Sequence, residues 1–356
     1  MKSLVDLFCD MVRIDSESGN EAAFVRYAAD LLERELGASC ELDAYGNLIA
    51  RVEGKASERD PVALCAHADT VKPGVGIEPI VEEGVIRSAG ETILGADDKA
   101  GLAEIVDGVR MAERRPPVEI VVTLGEEVGL LGSQHLDLDK VRSKTAFVID
   151  GEYLHEIVIG GPTHISMDIT VVGRAAHAGM RPEKGISAIR VAAQAIARMP
   201  EGRIDPETTA NVGTIEGGLV RNGVPERCTL KAECRSLNHD KAIAQARAMR
   251  EAFEAAAAEA GARVEIDENV AYRAHASDRD APVVRAAVDA VRSLGLEPDV
   301  KLITGGTDAL VLCNRGIEAV VLGTGGGDAH ATTESIAVDQ LEGGAKLLRN
   351  LLESLA

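Results

Sequence analysis

Acidic residues and histidines follow short apolar runs at several separate points of the chain. Runs such as VALCA, IVVTL and AFVI have the composition of strands that are buried on both faces. The residues that follow these runs, or stand in the loops GADDKAG and GTGGGDAH, include His67, Asp97, Glu127, Asp150 and His330. Open α/β sheets place their ligand sites beyond the carboxyl ends of their strands. The sequence therefore predicts that these side chains belong to one site.

The residue types indicate divalent metals. Carboxylates and imidazoles are the usual oxygen and nitrogen ligands of zinc and related ions. A carboxylate can bridge two metals about 3.5–4 Å apart, and such a pair stabilises an attacking water and a developing oxyanion. In His67-Ala68-Asp69, the aspartate can fix the tautomer of a metal-binding ring. The adjacent Glu126 and Glu127 permit two roles, one as a ligand and one as the base that activates water.

Alternating helices and strands must position these residues. Apolar spacing predicts helices at 3–13 and 20–36, and the segment 40–52 predicts a hairpin that turns at Gly46-Asn47. A helix over 100–115 ends at Pro116-Pro117. The same alternation returns after about residue 277. Its predicted elements are helices at 281–294 and 338–354 and a strand at 318–323.

The pattern changes near Gly160-Gly161-Pro162. The segment 165–172 alternates apolar and polar residues, which is typical of an antiparallel sheet with one solvated face. Further predicted elements are helices at 184–199 and 239–260 and strands at 209–216, 227–236 and 263–272. We therefore expect a smaller α+β domain, residues 161–274, inserted into an α/β domain formed by residues 1–160 and 275–356.

Composition excludes several classes of partner. The net charge of −20 repels nucleic-acid phosphates and anionic membrane surfaces. Aromatic residues make up only 2% of the chain, too few for the stacking platforms of single-strand binders. No apolar run has the length of a membrane span, and the first 15 residues lack the apolar core of a secretory signal. The six scattered cysteines predict reduced thiols and a cytoplasmic location.

The order of the motifs resembles that of a known family. The motifs are HADTV (67–71), GADDKAG (95–101), TLGEEVG (123–129), VIDGE (148–152), GRAAHAGMRPEKGISAI (173–189), NGVP with a later arginine (222–235), GGTD (305–308) and the late His330. They resemble the two-domain di-zinc metallopeptidases and amidohydrolases that include peptidase T, carboxypeptidase G, succinyl-diaminopimelate desuccinylase and acetylornithine deacetylase. The peptidase T branch is the most similar.

The resemblance implies a mixed-sheet zinc-exopeptidase domain flanked by helices, with two divalent metal ions, zinc or alternatively manganese or cobalt. By motif, His67 and Asp150 complete one metal site, Glu127 and His330 complete the other, and Asp97 bridges them. Family members have a cis peptide after the bridging aspartate. The resemblance further assigns Asp69 as the support of His67, and Glu126 as the general base.

For the inserted domain, the resemblance implies dimerisation and closure over the substrate. His177 resembles the histidine that reaches across the dimer to the transition-state oxyanion. Asn222 and Arg235 resemble the residues that hold the substrate carboxylate, for which a guanidinium is well shaped. The expected assembly is a homodimer through this domain.

Several functions remain open at the level of sequence. The first is hydrolysis of a short peptide by a tripeptidase-type aminopeptidase, and the second is deacylation or desuccinylation of an N-acyl amino acid. A protein of another class, a non-catalytic metal-binding regulator, would not need Glu126. The run GTGGGD lacks the spacing of a dinucleotide-binding motif, so a nicotinamide enzyme has weak support. Asp308 either caps a helix or contacts substrate.

Overall fold

The computed structural model describes residues 2–356 and divides them into two compact units. One unit comprises residues 2–160 and 276–356, and the other comprises Gly161–His275. The short strands Gly160–Gly161 and His275–Ala276 stand where the chain passes from one unit to the other.

The first unit is built on an eight-stranded mixed sheet. In spatial order its strands are Ser39–Leu42, Leu48–Val52, Val118–Thr123, Val62–His67, Thr145–Gly151, Glu318–Gly323, Glu156–Val158 and Asp299–Lys301. The four strands from Val118–Thr123 to Glu318–Gly323 are parallel to one another. Their carboxyl ends therefore lie at the same edge of the sheet, as the positions of the acidic residues and histidines predict.

Both faces of this sheet are covered, which explains the continuous apolar runs. Leu64 and Phe147 lie in a core that includes residues of the long helices, whereas Ala63 and Cys65 pack in a second core on the other face. The helices of this unit are Leu4–Val12, Ala22–Leu36, Ala96–Met111, Leu131–His135, Pro282–Ser293, Asp308–Asn314 and Val338–Leu355, with a 3-10 turn at Leu138–Lys140.

A second, four-stranded antiparallel sheet in the first unit was not predicted. Its strands, in spatial order, are Gly326–Gly327, Ser335–Ala337, Val85–Ser88 and Pro79–Glu82. The strands are short and two of them consist largely of glycine or small residues, so they carry little periodic signal. This sheet pairs the chain on both sides of His330 with itself and with residues 85–88.

The second unit is a five-stranded antiparallel sheet with helices. Its strands, in spatial order, are Gly202–Asp205, Thr208–Gly217, Arg227–Ser236, Thr163–Val172 and Arg263–Tyr272. The helices Ala188–Ile196 and His239–Ala260 and alternate strand residues such as Ile165 and Met167 form one core. A 3-10 turn at Pro182–Lys184 precedes the first helix, and a short pair joins Ala176–His177 to Gly223–Val224.

The predicted fold class is confirmed, and most predicted elements are present within a few residues. The helix predicted at 184–199 is shorter, because residues 182–184 form a 3-10 turn and Ser187 caps the helix at the backbone N–H of Arg190. The helix Ala96–Met111 is interrupted by non-helical backbone at Asp97 and Asp98, so its regular part begins close to the predicted residue 100, and it ends at Met111 rather than at 115. Among residues 2–356, none of the helices combines the length and apolar character that crossing a bilayer requires.

Candidate active site

The carboxyl edge of the central strands collects the acidic residues and histidines. His67 is the last residue of Val62–His67, and Asp150 is the penultimate residue of Thr145–Gly151. Glu126 and Glu127 follow the end of Val118–Thr123 by three and four residues. Because these strands are parallel neighbours, side chains that are far apart in sequence meet at one edge.

Two groups of side chains share the carboxylate of Asp97. Its Oδ1 lies 2.9 Å from Nε2 of His67, which is also 3.6 Å from Oδ1 of Asp150. Its Oδ2 lies 3.2 Å from Nε2 of His330, which is 2.9 Å from Oε1 of Glu127. Within each group, one ligand atom from each residue lies within 4.8 Å of the others. Each oxygen of Asp97 thus faces a different histidine, the arrangement that a bridging carboxylate has.

Asp69 is fully buried and holds the two glutamates by their backbones. Its Oδ1 accepts from the N–H of Glu126 at 2.9 Å, its Oδ2 from the N–H of Glu127 at 3.2 Å, and Ser18 donates to Oδ2 at 2.7 Å. Burial acts to raise the pKa of Asp69, but interactions with His67 and the hydrogen bonds from Ser18 and Glu126 outweigh it and lower the pKa. His67 Nδ1 lies 2.9 Å from the backbone oxygen of Asp69, which leaves Nε2 facing the other carboxylates.

The start of the helix Ala96–Met111 carries the shared aspartate. The peptide bond between Asp97 and Asp98 is cis, as the family resemblance implied. Oδ2 of Asp98 accepts from the backbone N–H of His67 at 3.1 Å. Gly101 is required beneath this loop, because a Cβ there would lie 2.1 Å from the backbone oxygen of Ile149 and 2.3 Å from Oδ1 of Asp98.

The concentration of acids perturbs their pKa values. Burial, with the neighbouring charge of Asp97, raises the pKa of Asp150 to about 7, and burial raises the pKa of Glu126 well above its usual value. For Asp97, the hydrogen bonds from His330 and His67 outweigh burial and lower the pKa. Hydrogen bonds to Asp97 and Glu127 raise the pKa of His330 to about 10. The surrounding carboxylates therefore favour positive charge near Nε2 of His67 and Nε2 of His330.

A glycine run carries His330 to the site. After the strand Glu318–Gly323, the glycines do not open a helix, as they would in a dinucleotide-binding fold. They lead into the strand Gly326–Gly327, and the next helix begins only at Val338. Asp328 and His330 both have positive φ angles, 57° and 66°. The structure therefore gives the nicotinamide hypothesis no support.

A cavity of about 330 Å³ adjoins the shared carboxylate. Its acidic lining consists of Asp97, Asp98, Asp150, Glu152, Asp328 and Glu334, and the rest of the lining is uncharged. Such a lining disfavours an anionic group and favours a cationic one.

In the second unit, His177 and Asn222 lie side by side. His177 pairs with Gly223, and the N–H of Ala178 donates to the backbone oxygen of Asn222 at 2.9 Å. Nδ1 of His177 accepts from the N–H groups of Gly179 and Met180, each at 3.2 Å. Since Nδ1 accepts, the ring proton of the neutral imidazole is on the exposed Nε2, which can donate to a substrate oxygen.

Arg235 lies at the other end of the same unit's sheet from Asn222. It is the penultimate residue of the strand Arg227–Ser236, whose first residue follows the Asn222 loop. Eight residues of strand separate Arg227 from Arg235, roughly 26 Å at about 3.3 Å per residue. The guanidinium of Arg235 also contacts both carboxylate oxygens of Glu233, at 3.1 and 2.9 Å. Within one chain, Asn222 and Arg235 cannot hold the same substrate carboxylate.

Comparisons with known proteins agree with this geometry. The family model described as Peptidase family M28 matches residues 47–158, and that of the peptidase dimerisation domain matches residues 159–261. The chain is 38% identical to the crystal structure of aminopeptidase PepT from Bacillus cereus, with 99% of this chain and 98% of that one covered and a TM-score of 0.88. The chain belongs to the peptidase T family.

Two further similarities extend over the whole chain. A tripeptidase from Staphylococcus aureus is 32% identical, with 99% of this chain and 97% of that one covered and a TM-score of 0.93. The uncharacterized protein YqjE of Bacillus subtilis is 36% identical, with 100% and 99% covered. As a peptidase T family member, the chain is a metal-dependent peptidase and hence a hydrolase.

Several residues that support this peptidase T family site could not be predicted from the sequence. Ser18 supports Asp69, and Glu334 accepts hydrogen bonds from the loop before Asp97. Both contacts join distant parts of the chain and leave no local pattern. The capping alternative for Asp308 is wrong, because Thr307 is at the N-cap and Asp308 is buried, accepting from Oγ1 of Thr123 at 2.5 Å.

Proposed function

We propose that this member of the peptidase T family is a two-metal aminopeptidase that releases the amino-terminal residue of short peptides, with tripeptides as the preferred substrates. The observation that carries the proposal is the position of Asp97, whose two oxygens each approach a different histidine. The tripeptide preference is proposed from the similarity to the aminopeptidase of Bacillus cereus and the tripeptidase of Staphylococcus aureus.

The residues present fit two divalent cations. The proposed ligands are His67 and Asp150 for one ion and Glu127 and His330 for the other, with Asp97 common to both. Mixed imidazole and carboxylate ligands suit zinc, and manganese or cobalt are alternatives. Burial and neighbouring acids raise the pKa of Asp150, and the carboxylates of Asp97 and Glu127 raise the pKa of His330. Both shifts indicate that the clustered acids stabilise positive charge at this site. When bound, such ions polarise a carbonyl and lower the pKa of water.

Glu126 is the proposed general base, and Asp69 positions it. The N–H groups of Glu126 and Glu127 both donate to the carboxylate of Asp69, which fixes the backbone of the two glutamates. In this role, its carboxylate accepts the proton of the attacking water and then donates it to the leaving amine. Its neighbour Glu127 contacts His330 and serves as a ligand, so the two glutamates have different functions.

His177 and Asn222 act on substrate in a second copy of the chain. The exposed Nε2 of His177 can donate a hydrogen bond to the oxyanion, and Arg235 binds the substrate carboxylate. The span of roughly 26 Å along a strand between the two ends of the inserted unit supports a homodimer. In this proposal, each site receives Arg235 from one chain and His177 with Asn222 from the other.

The acidic cavity supports an aminopeptidase over an N-acyl amino acid deacylase. A free peptide carries an α-ammonium group, which Glu152 and Asp328 in the cavity lining attract. An N-acyl substrate has a neutral amide in this position. We expect Glu152→Gln to raise KM for a free tripeptide more than it lowers kcat.

The composition of the chain supports a cytoplasmic location. All six cysteines are free, four of them buried. A reducing compartment keeps such thiols unpaired.

The decisive test uses metal-free protein reconstituted with zinc, manganese or cobalt. Its substrates are a tripeptide, the same tripeptide with an acetylated amino terminus, an N-acetyl amino acid and an N-succinyl amino acid. We expect cleavage of the free tripeptide at its first peptide bond and little cleavage of the others. Cleavage of the N-acyl amino acids alone would make the chain a deacylase.

The matched variant is Glu126→Gln, which keeps the size of the side chain and removes the base. We expect it to bind both metals and to lower kcat by about 10²- to 10⁴-fold. A variant that keeps parental kcat would show that another group accepts the proton.

A further inference from the structure

The carboxylate of Glu334 is enclosed by backbone N–H groups. Its Oε2 accepts from Leu94 at 2.8 Å and from Gly95 at 2.7 Å, and its Oε1 accepts from Asp97 at 3.0 Å. The side chain is buried, with 2% of the residue exposed. It therefore binds three donors of one loop, and the last of them belongs to the shared aspartate.

The backbone of Glu334 is also fixed by hydrogen bonds. Its N–H donates to the carbonyl of Ala331, one residue after His330. The next residue, Ser335, begins a strand that pairs with Gly327 on one side and with Arg87 on the other. Glu334 thus connects the loop that carries His330 to the loop that carries Asp97.

This connection matters because the carboxylate of Asp97 must point one oxygen toward each of two histidines. The two oxygens of Asp97 face His67 and His330, so the orientation of the Asp97 backbone determines both contacts. Hydrogen bonds to an ionised carboxylate are short and strong, so three of them fix the orientation of the loop. Groups that orient ligands in this way commonly affect metal affinity as much as activity.

We propose that Glu334 is a positioning residue that sets the bridging geometry of Asp97 and joins it to His330. This inference rests on the proposed two-metal function. Both carboxylate oxygens of Glu334 accept from backbone N–H groups of residues 94–97, so Glu334 acts through this backbone although it borders the cavity. Its loss should weaken metal binding, most strongly at the group formed by Asp97, Glu127 and His330.

The test compares Glu334→Gln with Glu119→Gln. Glutamine keeps one acceptor oxygen but turns an NH₂ group toward backbone donors. Glu119 is a matched control, because it is equally buried and accepts from the N–H groups of Arg142 and Ser143 at 2.9 and 2.8 Å. It lies near the start of Val118–Thr123, at the opposite end of that strand from Glu126.

Zinc affinity and stoichiometry are measured by titration of the metal-free proteins against a competing chelator, and the absorption spectrum of the cobalt-loaded proteins reports ligand geometry. We expect Glu334→Gln to lose affinity by about 10- to 100-fold with an altered cobalt spectrum. Glu119→Gln should lower the midpoint of thermal unfolding but keep parental affinity and spectrum. Parental binding by Glu334→Gln, or an equal loss in Glu119→Gln, overturns the inference.

A second variant covers the case in which Glu334→Gln does not fold. Glu334→Asp keeps the charge but is one methylene shorter, so it cannot reach all three donors. We expect a smaller loss of zinc affinity than for glutamine, and unchanged affinity would again overturn the inference. Failure of the parent protein to bind metal or cleave peptides would contradict the proposed function instead.

Discussion

The backbone N–H of Glu126 donates to Oδ1 of Asp69 at 2.9 Å, so the proposed base is positioned by a residue that follows a neighbouring strand. The other oxygen of Asp69 accepts from Glu127, and the carbonyl of Asp69 lies 2.9 Å from Nδ1 of His67. One residue therefore orients a base and two ligands.

Substitution of Asp69 should affect both catalysis and metal binding. Asparagine in Asp69→Asn keeps one acceptor oxygen and places NH₂ against a backbone donor. We expect kcat to fall by about 10- to 100-fold with a parallel loss of zinc affinity, since such supporting groups have effects of this size. Steady-state kinetics and zinc titration measure the two effects. Parental values for both would mean that the hydrogen bonds to Glu126 and Glu127 have no functional role.

Mixing of inactive variants should restore activity if the site is shared between two copies. In a homodimer of His177→Ala or of Arg235→Ala, both sites lack the substituted side chain. In a heterodimer, one of the two sites receives both intact residues, so we expect roughly a quarter of parental activity after full statistical exchange. Peptidase assays after exchange of the two purified variants measure this recovery.

The control for this experiment is a mixture of His177→Ala with Asn222→Ala. These residues lie together in one unit, so they enter a site from the same chain. No heterodimer of these two variants has an intact site, and we expect no recovery. Equal recovery in both mixtures would contradict the proposed division of residues between chains.

Gly101 should tolerate no side chain. In Gly101→Ala, the Cβ would lie 2.1 Å from the backbone oxygen of Ile149, and that strand cannot shift without moving Asp150. We expect the free energy of unfolding of the metal-free protein to fall by about 1–3 kcal/mol, as at other overpacked sites. Gly90→Ala is the control, because a Cβ there meets nothing within 4 Å. Denaturant titration of both variants tests the difference.

Glu104 should make stability depend on pH. Its carboxyl is fully buried against Gly344, neither oxygen has a hydrogen-bond partner, and burial raises its pKa well above the usual value. With a raised folded-state pKa, the neutral acid's contribution is complete below the unfolded pKa and is lost as pH rises toward the folded one.

The measurement for Glu104 is the free energy of unfolding of the parent and of Glu104→Gln across pH 5–9. Relative to the variant, the parent should lose up to about 1.4 kcal/mol per pH unit within the titration range. Other buried acids near the site titrate in both proteins, so only the difference reports Glu104. Parallel curves would show that Glu104 titrates normally.

Local patterns were sufficient for the long helices, the central strands and the chemical types in the site, but not for the short strands of the four-stranded sheet. The strand Val62–His67 and the helix His239–Ala260 follow from apolar runs and spacing that neighbouring residues determine. The ligand candidates could be recognised because parallel strands bring their carboxyl ends together whatever their separation in sequence. That rule needs no knowledge of side-chain geometry.

Tertiary structure decided which groups support these candidates. Glu334 bonds residues that precede it by 237 to 240 positions, and Ser18 bonds Asp69 from 51 positions away. No period or spacing encodes such pairs, because a hydrogen bond depends on where two chain segments pass each other. Asn222 and Arg235 are likewise far apart because the extended strand Arg227–Ser236 lies between them. The sequence by itself determined what the site is made of, and only the packed chain decided how its parts are oriented.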